Sequence, residues 1–374
     1  MKKNPLLELE RFHQSPWLDF ISRSLLDRGE FESMVLKDGI KGITSNPTIF
    51  QKSISETGDY DADIFSLYKK FGSDFQKIYE HLAIDDLRRA ADILYPVYAK
   101  TKFADGYVSL EISPHLAHDT KKSVEEGVRL WHELDRKNAM IKIPGTAQGI
   151  KAIEELVAFG INVNVTLLFS VEMYELAALA YLQGLDRRIE AFLPIDSMCS
   201  VASFFISRID TKLDQALNEI IDSTSDEYKK RSAKFLLGKI AIANAKAAYK
   251  SFKKLDQEQL SKRLKEKGAH PQKLLWASTG TKNKTYSDVL YVEQLIGCDT
   301  INTMPLETFM HFKDHGQVAN TLDQNCDQAL LEIKTLSSLG IDLKKICNDL
   351  TREGIDMFIN SYDALLKVLK ERAL

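Results

Sequence analysis

Short apolar runs alternate along this chain with longer stretches in which apolar residues recur every three or four positions. Continuous apolar runs are typical of parallel strands buried on both faces, and the longer spacing is typical of amphipathic helices. Eight runs have strand character: residues 17–21, 40–45, 107–112, 139–143, 162–167, 199–205, 274–278 and 300–304. Helical spacing occupies several of the intervals between them, at residues 83–94, 121–134, 147–159 and 171–182.

This alternation predicts an α/β protein, and eight strands predict a single closed (β/α)8 TIM barrel surrounded by helices. Two stretches exceed what such a barrel needs, at about residues 212–267 and 321–374, and both are rich in Lys, Glu, Leu and Ala. We expect a helical insertion and a helical C-terminal extension on the barrel exterior. No linker rich in Gly, Pro or Ser divides the sequence, so residues 1–374 are expected to form one domain.

Charge and cysteine content exclude several classes of function. Lys and Arg total 50 and Asp and Glu total 53, a formal net charge of -3, which argues against nucleic acid as a partner. The four cysteines are far apart and form no metal-binding or disulfide motif. No apolar signal segment follows the first lysines, and the most apolar stretch, residues 174–185, is too short to cross a membrane. We expect a soluble, cytoplasmic protein without a metal site or a membrane partner.

A lysine interrupts the fourth apolar run just before a turn. If Ile141 and Ile143 face the outer helices, strand alternation points Lys142 into the barrel. Burial disfavours the charged ammonium, and a neutral amine is a nucleophile suited to forming a Schiff base with a carbonyl substrate. The alternative is a lysine at the frayed end of a strand that reaches solvent.

Two carboxylates interrupt apolar runs in the same manner, Asp19 in the first run and Glu111 in the third. Buried acids near a buried lysine are suited to general acid and base catalysis. Each acid alone is equally well explained as a structural ion-pair partner. Their occurrence together with Lys142 on separate predicted strands favours catalysis.

Amides and hydroxyls stand at the ends of two other runs. Asn46 precedes Pro47 and is suited either to binding a sugar hydroxyl or to capping the next helix. Asn162, Asn164 and Thr166 alternate, so they share one face of the fifth strand. Polar groups inside a barrel are costly unless they have partners or a function, so this face is predicted to be functional.

Cations follow the sixth and seventh runs. Arg208 comes shortly after the sixth run, and Lys282 follows a turn that contains Gly280. Loops after the seventh strand of a barrel often bind phosphate, although a solvated basic turn is the simpler reading of Lys282. The sequence has neither a P-loop nor a dinucleotide-binding fingerprint.

Three segments resemble the signature sequences of the transaldolase family, in the same order: GITSNP at residues 42–47, MIKIP at 140–144 and INVNVTLLFS at 161–170. Residues 276–280 and 302–305 are similar to the longer bacterial branch. The resemblance implies a class I aldolase type of TIM barrel that transfers a dihydroxyacetone unit, without a cofactor, from sedoheptulose 7-phosphate to glyceraldehyde 3-phosphate. Phosphorylated sugars would be its partners, and the active form would be a monomer or a homodimer.

The resemblance also implies roles for individual residues. Lys142 matches the Schiff-base lysine, and Asp19 matches the acid that deprotonates the hydroxyl of the fourth carbon. Glu111 and Thr166 match the pair that positions a water during imine formation. The expected substrate-binding residues are Thr44, Asn46, Asn164, Ser203, Phe205, Arg208, Ser278 and Lys282.

Lys282 departs from the better-known shorter branch, which has an arginine shortly after its serine. Lysine binds phosphate as a point charge, without the fork of an arginine. Two alternatives to transfer stay open. One is a Schiff-base fructose 6-phosphate aldolase that releases free dihydroxyacetone, and the other is a barrel that binds sugar phosphates without catalysis.

Overall fold

The strands hydrogen bond in chain order and close on themselves, with β1 pairing to both β2 and β8 and every pair parallel. The computed structural model describes residues 3–258 and 262–373. Its strands are β1 (Gln14–Leu18), β2 (Gly42–Thr44), β3 (Tyr107–Glu111), β4 (Ala139–Pro144), β5 (Val163–Leu168), β6 (Ser200–Phe205), β7 (Lys273–Ala277) and β8 (Thr300–Met304). The predicted (β/α)8 barrel with additional helices is confirmed.

The described α-helices surround this sheet and extend beyond it. In chain order they are α1 (Pro5–Glu8), α2 (Arg23–Asp27), α3 (Glu30–Asp38), α4 (Pro47–Glu56), α5 (Asp61–Phe71), α6 (Phe75–Lys100), α7 (Thr120–Leu134), α8 (Ala147–Ala158), α9 (Val171–Glu190), α10 (Ser207–Ser223), α11 (Glu227–Leu236), α12 (Ile240–Glu258), α13 (Lys262–Glu266), α14 (Leu290–Gln294), α15 (Leu306–His315), α16 (Cys326–Ser338) and α17 (Leu343–Ala373). Short 3-10 helices span Leu9–Phe12 and Pro114–Leu116. In the described parts of the chain, no helix is both long and apolar enough to cross a membrane.

Side-chain caps start the helices that follow β4 and β5 within a few residues of each strand. The Thr146 hydroxyl accepts a hydrogen bond from the Gly149 amide at the start of α8. The Ser170 hydroxyl accepts one from the Met173 amide at the start of α9. Each cap satisfies a backbone N–H that has no partner inside its helix. These tight strand-to-helix turns fix the carboxyl end of the barrel, where active sites of this fold lie.

The first strand differs from its prediction at both ends. It begins at Gln14 and ends at Leu18, so Asp19 follows the strand instead of interrupting it. Polar residues can begin this strand because they have buried partners: Gln14 Nε2 donates to Leu295 O at 2.7 Å, and the Ser15 hydroxyl donates to Asp105. The backbone N–H of Asp19 still donates to Met304 O at 2.8 Å, which holds this residue at the strand end.

The insertion packs outside the barrel. The helix α10, which follows β6, continues to Ser223, so the stretch from residue 212 begins inside a helix of the barrel's ring. Beyond it, α12 packs against α9, α10 and α16. Residues 259–261 of the predicted insertion, and Leu374 of the predicted extension, lie outside the described residues.

The C-terminal helix α17 crosses the carboxyl end of the barrel and packs against α4, α5, α6 and α10. Gly354 lets the helix approach β5, since a Cβ there would lie 2.8 Å from a methyl carbon of Leu167. Its last turn is attached to the rest of the chain by Arg372, whose guanidinium binds the Asp61 carboxylate at 2.6 Å. The extension therefore covers the mouth of the barrel in addition to packing on its exterior.

We expect Gly42→Ala to destabilise the barrel. A Cβ at Gly42 would lie 2.3 Å from the indole of Trp17, which is fully buried and donates from Nε1 to Asp105 at 2.8 Å. Overpacking of this kind should lower the free energy of unfolding by about 1–3 kcal/mol, measured by urea denaturation. The matched control is Gly58→Ala, because a Cβ there has its nearest neighbour at 3.4 Å. Equal stability of the two variants would contradict this account of β1–β2 packing.

Candidate active site

A cavity of about 400 Å³ opens at the carboxyl end of the barrel. Most of the residues that the sequence singled out line it: Asp19, Thr44, Asn46, Lys142, Ser203, Phe205, Arg208, Ser278 and Lys282. The other three, Glu111, Asn164 and Thr166, are buried on β3 and β5, the strands on either side of β4. The barrel thus gathers into one region residues that are widely separated in sequence.

Lys142 is buried, with 4% of its surface exposed. Ile141 and Ile143 are fully buried, and the alternating residue Lys142 lines the cavity. Its ammonium donates to Ser45 O at 3.1 Å and lies 3.8 Å from Glu111 Oε2. The alternative of a lysine at a frayed strand end is therefore wrong for this residue.

Strand register places Glu111 and Asn164 beside this lysine. Glu111 pairs with Lys142 across β3 and β4, and Lys142 pairs with Asn164 across β4 and β5. Burial raises the pKa of Glu111 to about 7, with Lys142 opposing the shift and Asp19 adding to it. A carboxyl with this pKa can both accept and donate a proton near neutral pH.

Two buried polar atoms near the lysine lack a protein hydrogen bond. Among the described residues, Glu111 Oε2 and the Thr166 hydroxyl have no hydrogen-bond partner. Buried polar groups in native proteins are nearly always satisfied by protein or by water. Both atoms are therefore suited to holding a water or a substrate oxygen, in line with the pair that the resemblance implies.

Asp19 is held at the cavity surface by hydroxyl groups. The Thr44 hydroxyl donates to Asp19 Oδ1 at 2.6 Å and lies 2.7 Å from the Thr303 hydroxyl. Burial raises the pKa of Asp19. The hydrogen bond from Thr44 and the positive charges of Lys142, Arg208 and Lys282 oppose this shift. Sequence reasoning missed Thr303, whose only signal was a hydroxyl near the end of the eighth apolar run.

Asn46 combines the two roles that the sequence left open. Its Oδ1 accepts a hydrogen bond from the Ile49 amide at 3.0 Å and caps α4. The side chain also lines the cavity. The cap fixes the orientation of the amide, so its NH₂ group is available to a ligand in a defined direction.

Asn164 is the centre of a buried polar chain. Its Oδ1 accepts from the Ser203 hydroxyl at 2.7 Å, and its Nδ2 donates to the Ser109 hydroxyl at 3.0 Å. Ser109 was missed, although it shares the alternating face of the third run with Glu111. Asn162 acts differently, because its side chain donates to backbone carbonyls and accepts from the Cys199 amide, which makes it structural.

Three cations other than Lys142 line the cavity: Arg208, Lys282 and Lys52, which the sequence analysis missed. Lys52 is three residues after Ile49 on α4, and that spacing places both on one helix face. None of these three cations makes an ion pair with a carboxylate of the described residues. Asp19 is the only described acidic residue in the lining, so the cavity has an excess of positive charge.

The ends of β6 and β7 hold Arg208 and Ser278 in defined positions. The Arg208 guanidinium lies 5.5 Å from the centre of the Phe205 ring, a cation–π contact, and it is half-buried. Ser278 has φ +55°, unusual for a residue with a side chain, and its carbonyl accepts from the Ser207 amide at 3.1 Å. Strained backbone of this kind is common at functional sites.

Helix α17 supplies part of the cavity wall through Met357 and Phe358. Neither residue has a motif around it, and both are far in sequence from the barrel strands. Only the tertiary packing of α17 brings them to the site, so no local pattern could have identified them.

Comparison with known proteins identifies the family of this chain. The family described as transaldolase/fructose-6-phosphate aldolase matches residues 16–369. A transaldolase of Trichodesmium erythraeum is 45% identical over 100% of this chain and 98% of its own length. Transaldolase 2 of Nostoc punctiforme is 44% identical over 100% of this chain and 98% of its own length. A transaldolase of Mycolicibacterium smegmatis is 40% identical over 98% of this chain and 97% of its own length. The chain belongs to the transaldolase/fructose-6-phosphate aldolase family.

Proposed function

We propose that this protein is a transaldolase that moves a dihydroxyacetone unit from sedoheptulose 7-phosphate to glyceraldehyde 3-phosphate, giving erythrose 4-phosphate and fructose 6-phosphate. One observation carries the proposal: a buried lysine lies 3.8 Å from Glu111 and shares with Asp19 a cavity whose other charged side chains, among the described residues, are cations. The buried amine suits covalent catalysis on a ketone, and the cations suit a phosphate group. The names of the similar proteins support the same activity.

The first step is formation of an imine between Lys142 Nζ and the carbonyl carbon of the ketose. The amine adds to the carbonyl, and the resulting hydroxyl must be protonated before it leaves as water. Glu111 lies 3.8 Å from the amine, and its unpartnered oxygen is suited to exchanging these protons through a water held with Thr166. Its pKa of about 7 suits both directions of transfer.

The second step is cleavage of the bond between the third and fourth carbons. Asp19 removes the proton of the fourth-carbon hydroxyl, the carbon–carbon bond breaks, and its electron pair moves into the protonated imine to give an enamine. The aldehyde then leaves. The raised pKa of Asp19 makes its carboxylate a stronger base than an exposed aspartate, and the Thr44 hydroxyl orients it.

Transfer requires that the enamine wait for an aldehyde acceptor without being protonated by water. Asn46 and Asn164 are positioned by their own hydrogen bonds, and we propose that they bind hydroxyls of the three-carbon unit. Met357 and Phe358 from α17 cover part of the cavity with apolar surface. A covered site restricts water and favours attack on the incoming aldehyde over release.

The phosphate of each substrate would bind where Arg208, Ser203, Phe205, Ser278 and Lys282 line the cavity. Half-burial lowers the pKa of Arg208, which is consistent with an environment where its charge is only partly hydrated. A phosphate supplies the missing counter-charge. Lys52 lines the same cavity and adds a third positive charge.

We further propose that the chain acts as one domain, in the cytoplasm, as a monomer or a homodimer. A continuous cluster of buried hydrophobic residues includes the barrel, the insertion and the extension, which supports the single domain. Product analysis separates transfer from the aldolase alternative, because an aldolase would release free dihydroxyacetone from fructose 6-phosphate without any acceptor. Measurable sugar-phosphate binding without turnover would favour the binding-barrel alternative.

Borohydride reduction in the presence of fructose 6-phosphate should fix a three-carbon adduct on Lys142, since reduction makes the imine permanent. Peptide mass spectrometry locates the adduct. Lys142→Ala should abolish both trapping and turnover, whereas Lys151→Ala, a change at an exposed lysine of α8, should leave both intact. A wild-type protein that forms no adduct would rule out the Schiff-base mechanism.

Asp19→Asn should separate imine formation from bond cleavage. The amide keeps the shape of the side chain but cannot act as the base, so turnover should fall about 10²- to 10⁴-fold. The adduct on Lys142 should still form, since the amine does not depend on Asp19 for its position. Loss of trapping in parallel with turnover would assign Asp19 to imine formation instead.

Activity should depend on pH through Glu111. Because its pKa is raised to about 7, its carboxylate form increases as the pH rises from about 6 to about 8. The kcat/KM for sedoheptulose 7-phosphate should rise over this interval if the carboxylate accepts the proton. Glu111→Gln should be slower at every pH and should lack this rise. An unchanged acid limb in the variant would assign the pH dependence to another group.

A further inference from the structure

Two aspartates on α10 lie outside the proposed chemistry and are nevertheless buried. Asp210 is 1% exposed and Asp214 is 8% exposed. They are two and six residues after Arg208, on the helix that begins at the cavity. Buried carboxylates are costly unless they are hydrogen bonded, so the partners of these two residues show what they hold in place.

Asp214 binds the loop that carries Lys282. Its Oδ2 accepts from the Tyr286 hydroxyl at 2.8 Å, and its Oδ1 accepts from the Gly238 amide at 2.9 Å. The Tyr286 ring packs on Gly238, because a Cβ there would lie 2.8 Å from the ring. Gly238 also has φ +69°, which favours glycine. The tyrosine is thus fixed by its hydroxyl and by its ring.

Asp210 binds the chain just beyond the same loop. Its Oδ2 accepts from the Tyr291 hydroxyl at 3.0 Å, and its Oδ1 accepts from the Ala241 amide at 2.7 Å. At the other end of the loop, the Ser278 carbonyl accepts from the Ser207 amide at the start of α10. The loop between β7 and α14 is therefore hydrogen bonded to α10 at three places: where the loop begins, near where it ends, and just beyond its end.

Lys282 lies inside this fastened loop. The Thr281 hydroxyl donates to Ser287 O at 2.8 Å. This hydrogen bond joins the residue before Lys282 to the residue after Tyr286 and so closes the loop on itself. Lys282 itself is exposed and makes no ion pair with the described residues. Its backbone position relative to Arg208 is consequently set by the contacts between the loop and α10.

We propose that Tyr286, held by Asp214, is a positioning residue that fixes Lys282 relative to Arg208 and so sets the affinity for the phosphate end of the substrate. The inference rests on the proposed function, because it assigns these two cations to a substrate phosphate. Lysine is a flexible point charge, and ordering it on binding costs side-chain and loop entropy. A loop that is already fixed reduces that cost.

The test is Tyr286→Phe, which removes only the hydroxyl. The KM for fructose 6-phosphate as donor, and the inhibition constant for inorganic phosphate, should both rise about five- to tenfold, the loss expected for one intramolecular hydrogen bond. The kcat should stay within about twofold, and kcat/KM for unphosphorylated fructose should not change. Tyr228→Phe is the matched control, because that tyrosine is 77% exposed and should show wild-type constants.

A double-mutant cycle identifies the route of the effect. Lys282→Ala should weaken phosphate binding, and adding Tyr286→Phe should produce no further change if Tyr286 acts only through Lys282. Additive effects, an equal loss with unphosphorylated fructose, or unchanged constants for Tyr286→Phe would each overturn the proposal. If Tyr286→Phe does not fold, as judged by circular dichroism, Asp214→Asn takes its place with the same expected results. Borohydride trapping in the wild-type protein tests the proposed function separately, so the two failures are distinguishable.

Discussion

Burial of one amine is the constraint on which the site depends. In the part of the chain that the structure describes, Lys142 has one hydrogen bond, to the Ser45 carbonyl, and its nearest carboxylate oxygen is 3.8 Å away. Burial of a polar group is costly unless the group has hydrogen-bond or ion-pair partners. The parallel register that aligns Glu111 with Lys142 makes this burial tolerable. In the proposed function, the same register holds the amine beside the acid that exchanges protons with the bound ketose.

The cavity has an excess of positive charge that the chain as a whole does not have. The whole chain has a formal net charge of -3, so the excess of cations in the lining is local. Within residues 3–258 and 262–373, Arg208 and Lys282 have no ion-pair partner, whereas Arg23 and Arg129 are surrounded by acids. Unpaired cations in a cleft raise the local concentration of an anionic ligand. In the proposed function, the substrate's phosphate supplies the counter-charge for these cations.

Much of the fold and of the candidate site could be predicted from the sequence, because strand periodicity and motif chemistry are local properties. The inward direction of Lys142 follows from alternation with its isoleucine neighbours, and the carboxyl-end location follows from the barrel. The start of β1 could not be predicted, since Gln14 is buried by partners nearly 300 residues away. Lys52 and Met357 escaped for a related reason: α4 and α17 are ordinary amphipathic helices, and only their packing at the mouth gives these residues a place in the site.

Helix α17 contacts β5, the strand that carries Thr166. Leu167 follows Thr166 on β5 and has φ +58°, a costly conformation for a residue with a side chain. Its side chain is in contact range of Gly354, and its carbonyl accepts from Thr351, both on α17. The helix that lines the cavity through Met357 and Phe358 therefore also supports the strained backbone next to Thr166. In the proposed mechanism, covering the enamine and shaping the strand that carries Thr166 are thus two consequences of the packing of α17 on Leu167.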